Sequence, residues 1–162
     1  MNLTGPAGLL PDGRQSEAAL RICRGVRRHL ASHGFASLPE VALRSGRRAD
    51  IVAINGRGDI WIVEIKSSIA DFRTDTKWPE YQMHCDRFFF ATSPDVPLTI
   101  FPQEAGLIVA DGFGAETLRM PEARPLAGAT RKEVLVRFAR AGAFRLQALD
   151  DPSHGDPSFR ET

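Results

Sequence analysis

Arg48-Ala49-Asp50-Ile51-Val52-Ala53-Ile54-Asn55-Gly56-Arg57-Gly58-Asp59-Ile60-Trp61-Ile62-Val63-Glu64-Ile65-Lys66 forms the most clearly patterned segment of this chain. Two apolar runs flank a linker of Asn, Gly and Asp, which is hairpin-turn chemistry. The runs are apolar on both faces, so residues 48–54 and 60–66 read as central strands of a sheet covered on both sides. Three charges sit inside them. Burying a carboxylate without a partner is costly, so Asp50, Glu64 and Lys66 need pairing or a metal. Glu64 and Lys66 are two apart and share a face. If Gly56-Arg57-Gly58 forms a three-residue loop, Asn55 pairs with Asp59 and Asp50 falls opposite Glu64, with Cβ atoms about 4.5–5.5 Å apart. A slip of one residue would move Asp50 to the other face.

Outward from that hairpin, the spacing predicts one α/β unit. Ser16 reads as an N-cap, with Glu17 in the first turn. Ala19, Ile22, Cys23, Val26 and Leu30 then recur at helical spacing up to Gly34. Residues 38–44 read as a first strand, residues 67–78 as a polar loop, and Pro79 as the start of a short helix reaching about Asp86. Residues 88–92 and 106–110 read as further strands. Thr130-Arg131-Lys132-Glu133 reads as a capping box opening a helix with Val134, Leu135 and Phe138 inward. Residues 113–128 give only weak strand signals. The order helix, three strands, helix, strand is an α/β sandwich with a mixed sheet. The chain divides into an irregular arm over 1–14, a single domain over 15–149 and a disordered tail over 150–162.

Composition bounds the rest. The 162 residues (17.8 kDa) are enough for one domain with its own core. A net charge of +1 speaks against a globally cationic nucleic-acid binder, yet residues 1–66 carry ten Lys/Arg against six Asp/Glu. No apolar run approaches the ~18 residues of a membrane span, and no secretory signal is visible at the N-terminus. Cys23 and Cys85 make neither a disulfide framework nor a zinc spacing, and His29, His33, His84 and His154 have no ligand spacing. A reducing, cytoplasmic location is the expectation.

Two carboxylates facing each other repel unless a cation lies between them. Hard oxygen ligands select Mg²⁺ or Mn²⁺, and because Mg²⁺ keeps several waters, Asp50, Glu64 and a carbonyl such as that of Ile65 suffice as protein ligands. Such a metal acidifies a bound water and stabilises charge on a phosphate oxygen. Lys66 would orient that water, help deprotonate it, or neutralise developing charge. The competing reading is a structural ion-pair at the strand ends.

The segment from Asp50 to Glu64-Ile65-Lys66 resembles the PD-(D/E)xK nuclease superfamily, with Ala49 standing where that pattern often has proline. Over a longer span, Leu38-Pro39-Glu40-Val41, Gly46-Arg47-Arg48-Ala49-Asp50, Val63-Glu64-Ile65-Lys66-Ser67-Ser68, Asp71-Phe72-Arg73, Lys77-Trp78, Glu80-Tyr81 and Cys85-Asp86-Arg87-Phe88 resemble the bacterial MmcB-like family, described as DNA-repair proteins. The resemblance implies a restriction-endonuclease-like core (αβββαβ, mixed central sheet flanked by helices). It implies Asp50 and Glu64 as metal ligands and Lys66 as the catalytic lysine. It also implies DNA, branched or damaged, as partner, with room for a homodimer or a repair-protein partner. Glu17 matches the helix-1 carboxylate that some branches add to the site, or is a helix-start charge. Glu40 is an alternative third acid, or a surface carboxylate on an edge strand. Arg44, Arg47, Arg48 and Ser67 are candidates for phosphate contact, Trp78 and Tyr81 for base stacking, and Gln82 for a polar contact from the second core helix. The implied activity is metal-dependent phosphodiester hydrolysis in DNA repair. The alternative is a non-cleaving DNA-binding or scaffold protein on the same fold.

Overall fold

The computed structural model describes residues 16–152. The arm expected over 1–14, and the tail beyond residue 152, lie outside the described residues. The elements run α1 (Glu17–Ser32), β1 (Ala36–Ala42), β2 (Arg48–Ile54), β3 (Ile60–Ile65), α2 (Ile69–Thr74), a 3-10 segment (Trp78–His84), β4 (Arg87–Thr92), β5 (Gly106–Ala110), β6 (Ala115–Arg119) and α3 (Gly128–Asp150). The six strands form one sheet in sequence order. β1, β2 and β3 are antiparallel, β4 and β5 run parallel to β3, and β6 returns antiparallel. The expected mixed sheet flanked by helices is what forms.

The hairpin register is the one the turn chemistry predicts. Ile54 pairs with Ile60 and Ile51 with Val63, and the Asn55 N–H donates to the Asp59 carbonyl. The central strands are buried on both sides. Ile51, Val63, Phe89 and Ile108 face α1, meeting Ile22, Val26 and Leu30. Val52, Ile62, Phe88 and Phe90 face the opposite layer, where Tyr81, Phe101 and Val134 close over them. Each such aliphatic or aromatic side chain contributes about 1.5–3 kcal/mol when fully buried. Ser16 caps α1 as expected, its hydroxyl accepting from the Ala19 N–H.

Several boundaries differ from expectation for local reasons. β1 starts and ends two residues early, because a turn closed by the Leu43 N–H and the Arg47 carbonyl, with Gly46 at φ +86°, takes over after it. Residues 67–78 contain a short helix rather than only loop, with Ser68 capping α2 by accepting from the Asp71 N–H. The helix expected from Pro79 is a 3-10 segment. It is the return path from the end of β3 to the start of β4, and a 3-10 coil rises about 2.0 Å per residue against about 1.5 Å for an α-helix. α3 starts at Gly128 behind Ala127, so Thr130 is not its cap, while Val134, Leu135 and Phe138 do face the core. β6 was not expected as a definite strand. Among the described residues no helix is long and apolar enough to cross a membrane.

Candidate functional site

The site lies where the β2–β3 pairing ends. Backbone pairs stop at Ile51 and Val63, and the next pair in register is Asp50 and Glu64. Here the carboxylates replace the ladder. Glu64 Oε1 accepts from the Asp50 N–H at 2.9 Å, and Asp50 Oδ2 accepts from the Ile65 N–H at 2.8 Å. The sheet is also creased at this point. Leu38 and Val41 both pack on the α3 side, as do Ala49 and Val52, although strict alternation would separate each pair. Asp50 and, opposite it on β1, Glu40 occupy the crease. Glu40 is the one described non-glycine residue with positive φ, at +51°.

A cavity of about 390 Å³ opens over these residues, lined by Ser16, Ala19, Glu40, Arg48, Asp50, Glu64, Ile65, Lys66, Ser67 and Asp71. Its charge is lopsided, with four carboxylates against two cations. Burial pushes the Asp50 carboxyl above its ordinary range despite the Ile65 amide and the Lys66 charge, and it pushes Glu64 further, helped by the Asp50 charge beside it. An ionised Asp50 thus works against the ionisation of Glu64. Two facing acids whose ionisation burial and mutual repulsion oppose suit a hard divalent ion, whose charge would favour the carboxylate form of both. Among the described residues no three His, Cys, Asp or Glu groups gather closely enough to hold one ion together. The fit is therefore to an ion that keeps most of its water.

Lys66 is fixed at the end of β3 by β4. Its N–H donates to the Ala91 carbonyl at 2.9 Å, and its own carbonyl accepts from the Thr92 hydroxyl at 2.7 Å. Its side chain lines the cavity, but Nζ binds Asp75 Oδ2 at 2.8 Å in a pair only 9% and 14% exposed. Burial alone would favour the neutral amine. Asp75, Asp71 and Glu64 outweigh that and hold the pKa above the ordinary lysine value. The same pairing favours the charged ammonium form of Lys66. The pairing with Asp75 is a difference from a trio converging on one point. Ser68 caps α2, and the path of that short helix brings Asp75 back over Lys66.

The remaining expected residues separate. Ser67 and Arg48 line the cavity. Glu17 does not. It pairs with Arg21 on the outer face of α1, 85% exposed, because the first turn of α1 faces the cavity with Ser16 and Ala19 instead. Arg47 is engaged by Glu80, and Arg44 sits exposed in the turn after β1. Tyr81 is a core residue, stacked on Phe88 with its hydroxyl donating to the Arg48 carbonyl at 3.3 Å, so it is no platform for a base. Trp78 likewise packs against Phe88 and Phe90. Gln82 accepts from Arg124 beside a different depression. Of Asp71, Arg73, Asp75 and Lys77, which the sequence offers as a substrate-facing loop or a salt-bridged surface, Asp71 lines the cavity, accepting from the Ser67 N–H at 3.0 Å, and Asp75 pairs with Lys66.

The family described as DNA repair protein MmcB-like matches residues 7–153. A solved structure titled "SPO1766 protein of unknown function from Silicibacter pomeroyi" is 44% identical, superposes at TM-score 0.82, and covers 88% of this chain and 98% of that one. A second, titled "crystal structure of a repair endonuclease from Pyrococcus abyssi", is 17% identical with TM-score 0.33, covering 55% of this chain and 42% of that one. No curated protein matches the sequence. With the family matched over nearly the whole chain, and a 44% identical structure spanning most of it, the protein belongs to the MmcB-like family of DNA repair proteins.

Proposed function

We propose that the protein is a metal-dependent nuclease of the PD-(D/E)xK type, hydrolysing DNA phosphodiester bonds in repair. The observation that carries this reading is the Asp50–Glu64 pair. The carboxyls of buried Glu64 and half-buried Asp50 have raised pKa values and face each other in a cavity with excess negative charge beside a lysine ammonium. Asp50 and Glu64 would hold Mg²⁺ or Mn²⁺, with the Ile65 carbonyl as the further candidate ligand. When bound, such an ion supplies an acidified water and stabilises charge on a phosphate oxygen.

The chain's own groups do the rest. Lys66, held charged by Asp75 on the cavity wall, would offset negative charge developing on phosphate. Arg48 and Ser67 stand on the wall where phosphate oxygens would lie. Of the two expected third acids, Glu40 lines the cavity and Glu17 does not, so Glu40 is the one that could act on water there, beside Asp71, which is engaged by the Ser67 N–H. One observation favours a non-cleaving DNA-binding protein instead. Asp75 already satisfies Lys66, as it would in a purely structural ion pair.

The test is a cleavage assay on linear, single-stranded, flap and four-way-junction DNA with Mg²⁺, Mn²⁺ or EDTA. Asp50→Ala and Lys66→Ala run beside the wild type. Metal-dependent cutting that falls about 100-fold or more in both variants is expected, the scale of losing a group that stabilises transition-state charge. Wild-type protein that binds these DNAs in a salt-dependent way but cuts none of them would establish the non-cleaving reading.

A further inference from the structure

We infer that Arg145, far from the cavity in sequence, is a positioning residue for it: from α3 it clamps the strained backbone at Glu40 and so keeps the Glu40 carboxylate on the cavity wall. The inference rests on the metal-site reading above and deepens it.

Three observations converge on this clamp. First, Glu40 holds a left-handed backbone (φ +51°) inside a strand, a conformation that costs energy for any residue with a Cβ and survives only where the surroundings enforce it. Second, the enforcing group is visible. Arg145 Nη1 donates to the Pro39 carbonyl at 2.5 Å and Nη2 to the Glu40 carbonyl at 2.7 Å. A planar guanidinium can grip two successive carbonyls in this way, whereas a lysine ammonium cannot do so with the same rigidity. One turn earlier on α3, Gly142 lies against Leu38, so the helix sits close enough for Arg145 to reach over the strand. Third, the strain has a product. It breaks the alternation of β1, so that Leu38 and Val41 both pack toward α3 and Glu40 is turned out of that layer onto the cavity opposite Asp50. An unstrained strand would carry residue 40 on the same side as Leu38. Since among the described residues no three acids gather on one point, Glu40 would act on a bound ion through its water.

The experiment measures Mn²⁺ binding to the full chain by electron paramagnetic resonance of free Mn²⁺, with Tm read in parallel. Wild type is compared with Glu64→Gln, Glu40→Gln, Arg145→Ala, Arg145→Lys and the Glu40→Gln/Arg145→Ala double variant. Glu64→Gln is expected to lose binding. Glu40→Gln and Arg145→Ala are each expected to weaken it about tenfold or more, the usual cost of losing an outer-shell partner. The double variant should be no weaker than either single one, because both remove the same contact. Arg145→Lys should fall between wild type and Arg145→Ala. If Arg145→Ala lowers Tm while Mn²⁺ affinity stays at the wild-type level, Arg145 is structural only and the inference is overturned. If Arg145→Ala does not fold, Arg145→Lys decides: weakened Mn²⁺ binding supports the clamp, and wild-type binding overturns it. If wild type and Glu64→Gln bind Mn²⁺ alike, the metal reading itself fails and the clamp falls with it.

Discussion

Glu64 shows how a single residue can be held against its own preference. It is 4% exposed, burial raises its pKa, and the neighbouring Asp50 raises it again. A carboxyl whose folded pKa lies above its unfolded value stabilises the fold fully below the unfolded value. That contribution is lost as pH rises through the raised one. In EDTA at pH 8, Glu64→Gln keeps an oxygen for the Asp50 N–H and removes the charge. It is therefore expected to raise Tm by about 2–4 °C, the shift that about 1 kcal/mol makes in a domain of this size. The same variant should show no Tm gain from Mn²⁺, while the wild-type gain grows with pH, because metal binding competes with protonation of the carboxyls. A lower Tm for Glu64→Gln in EDTA would show that the carboxylate is satisfied without a cation. At this scale the sequence was informative about Asp50 and Glu64, because charges inside doubly apolar strands can meet only one another. It was not informative about Asp75, whose approach to Lys66 depends on the path of α2 and the 3-10 segment, and not about Glu40 turning out of its layer, which depends on a helix a hundred residues later.

Elements were legible in proportion to how fully they are buried. β2 and β3, apolar on both faces and joined by turn residues, could be placed in register, β2 to the residue and β3 with its end one residue too far. β6 could not. It is an edge strand whose outward positions are Glu116 and Leu118, the latter 46% exposed, so its apolar residue points the wrong way for an alternation signal. The turn before β6 has a further consequence for α1. Gly25, buried in mid-helix, is a poor helix former and looks like a defect in the sequence. A Cβ there would lie 2.1 Å from the Asp111 carbonyl oxygen and 2.5 Å from that of Gly114. The glycine lets α1 press onto the β5–β6 turn, and α1 in turn walls the cavity with Ala19. Gly25→Ala should therefore destabilise by about 1–3 kcal/mol despite its better helix propensity, as overpacking does. Urea unfolding measures it, and a neutral or stabilising result would show that α1 can lift off the turn without cost.

Across the whole molecule, α3 joins the two ends of the sheet. Near its end Arg145 grips β1 at the cavity, and in its first turn Arg131 grips Asp86 at the opposite end, about 21 Å away along the helix axis. Asp86 is a hub. Arg131 donates to both its oxygens at 2.6 Å, the Ile60 N–H to Oδ2 at 2.7 Å and the Leu126 N–H to Oδ1 at 2.9 Å. Arg131 also reaches the Gly58 carbonyl at 2.8 Å, so hairpin, β4, the loop before α3 and α3 itself share one carboxylate. Burial works to raise the Asp86 pKa, but Arg131 and the two amides outweigh it and hold the carboxyl below its ordinary range. A depressed folded pKa stabilises above the unfolded value of about 3.9 and stops doing so as pH falls through the folded one. Asp86→Asn leaves the Arg131 charge without its partner and should cost about 3–5 kcal/mol at pH 7. Because the wild type gives up the same interaction in acid, the gap between the two proteins should narrow at about pH 3. Denaturant unfolding at both pH values decides it. A gap of equal size at both would mean that Asp86 acts through its shape and hydrogen bonds rather than its charge, and would leave α3, with the clamp it carries to the cavity, anchored by something else.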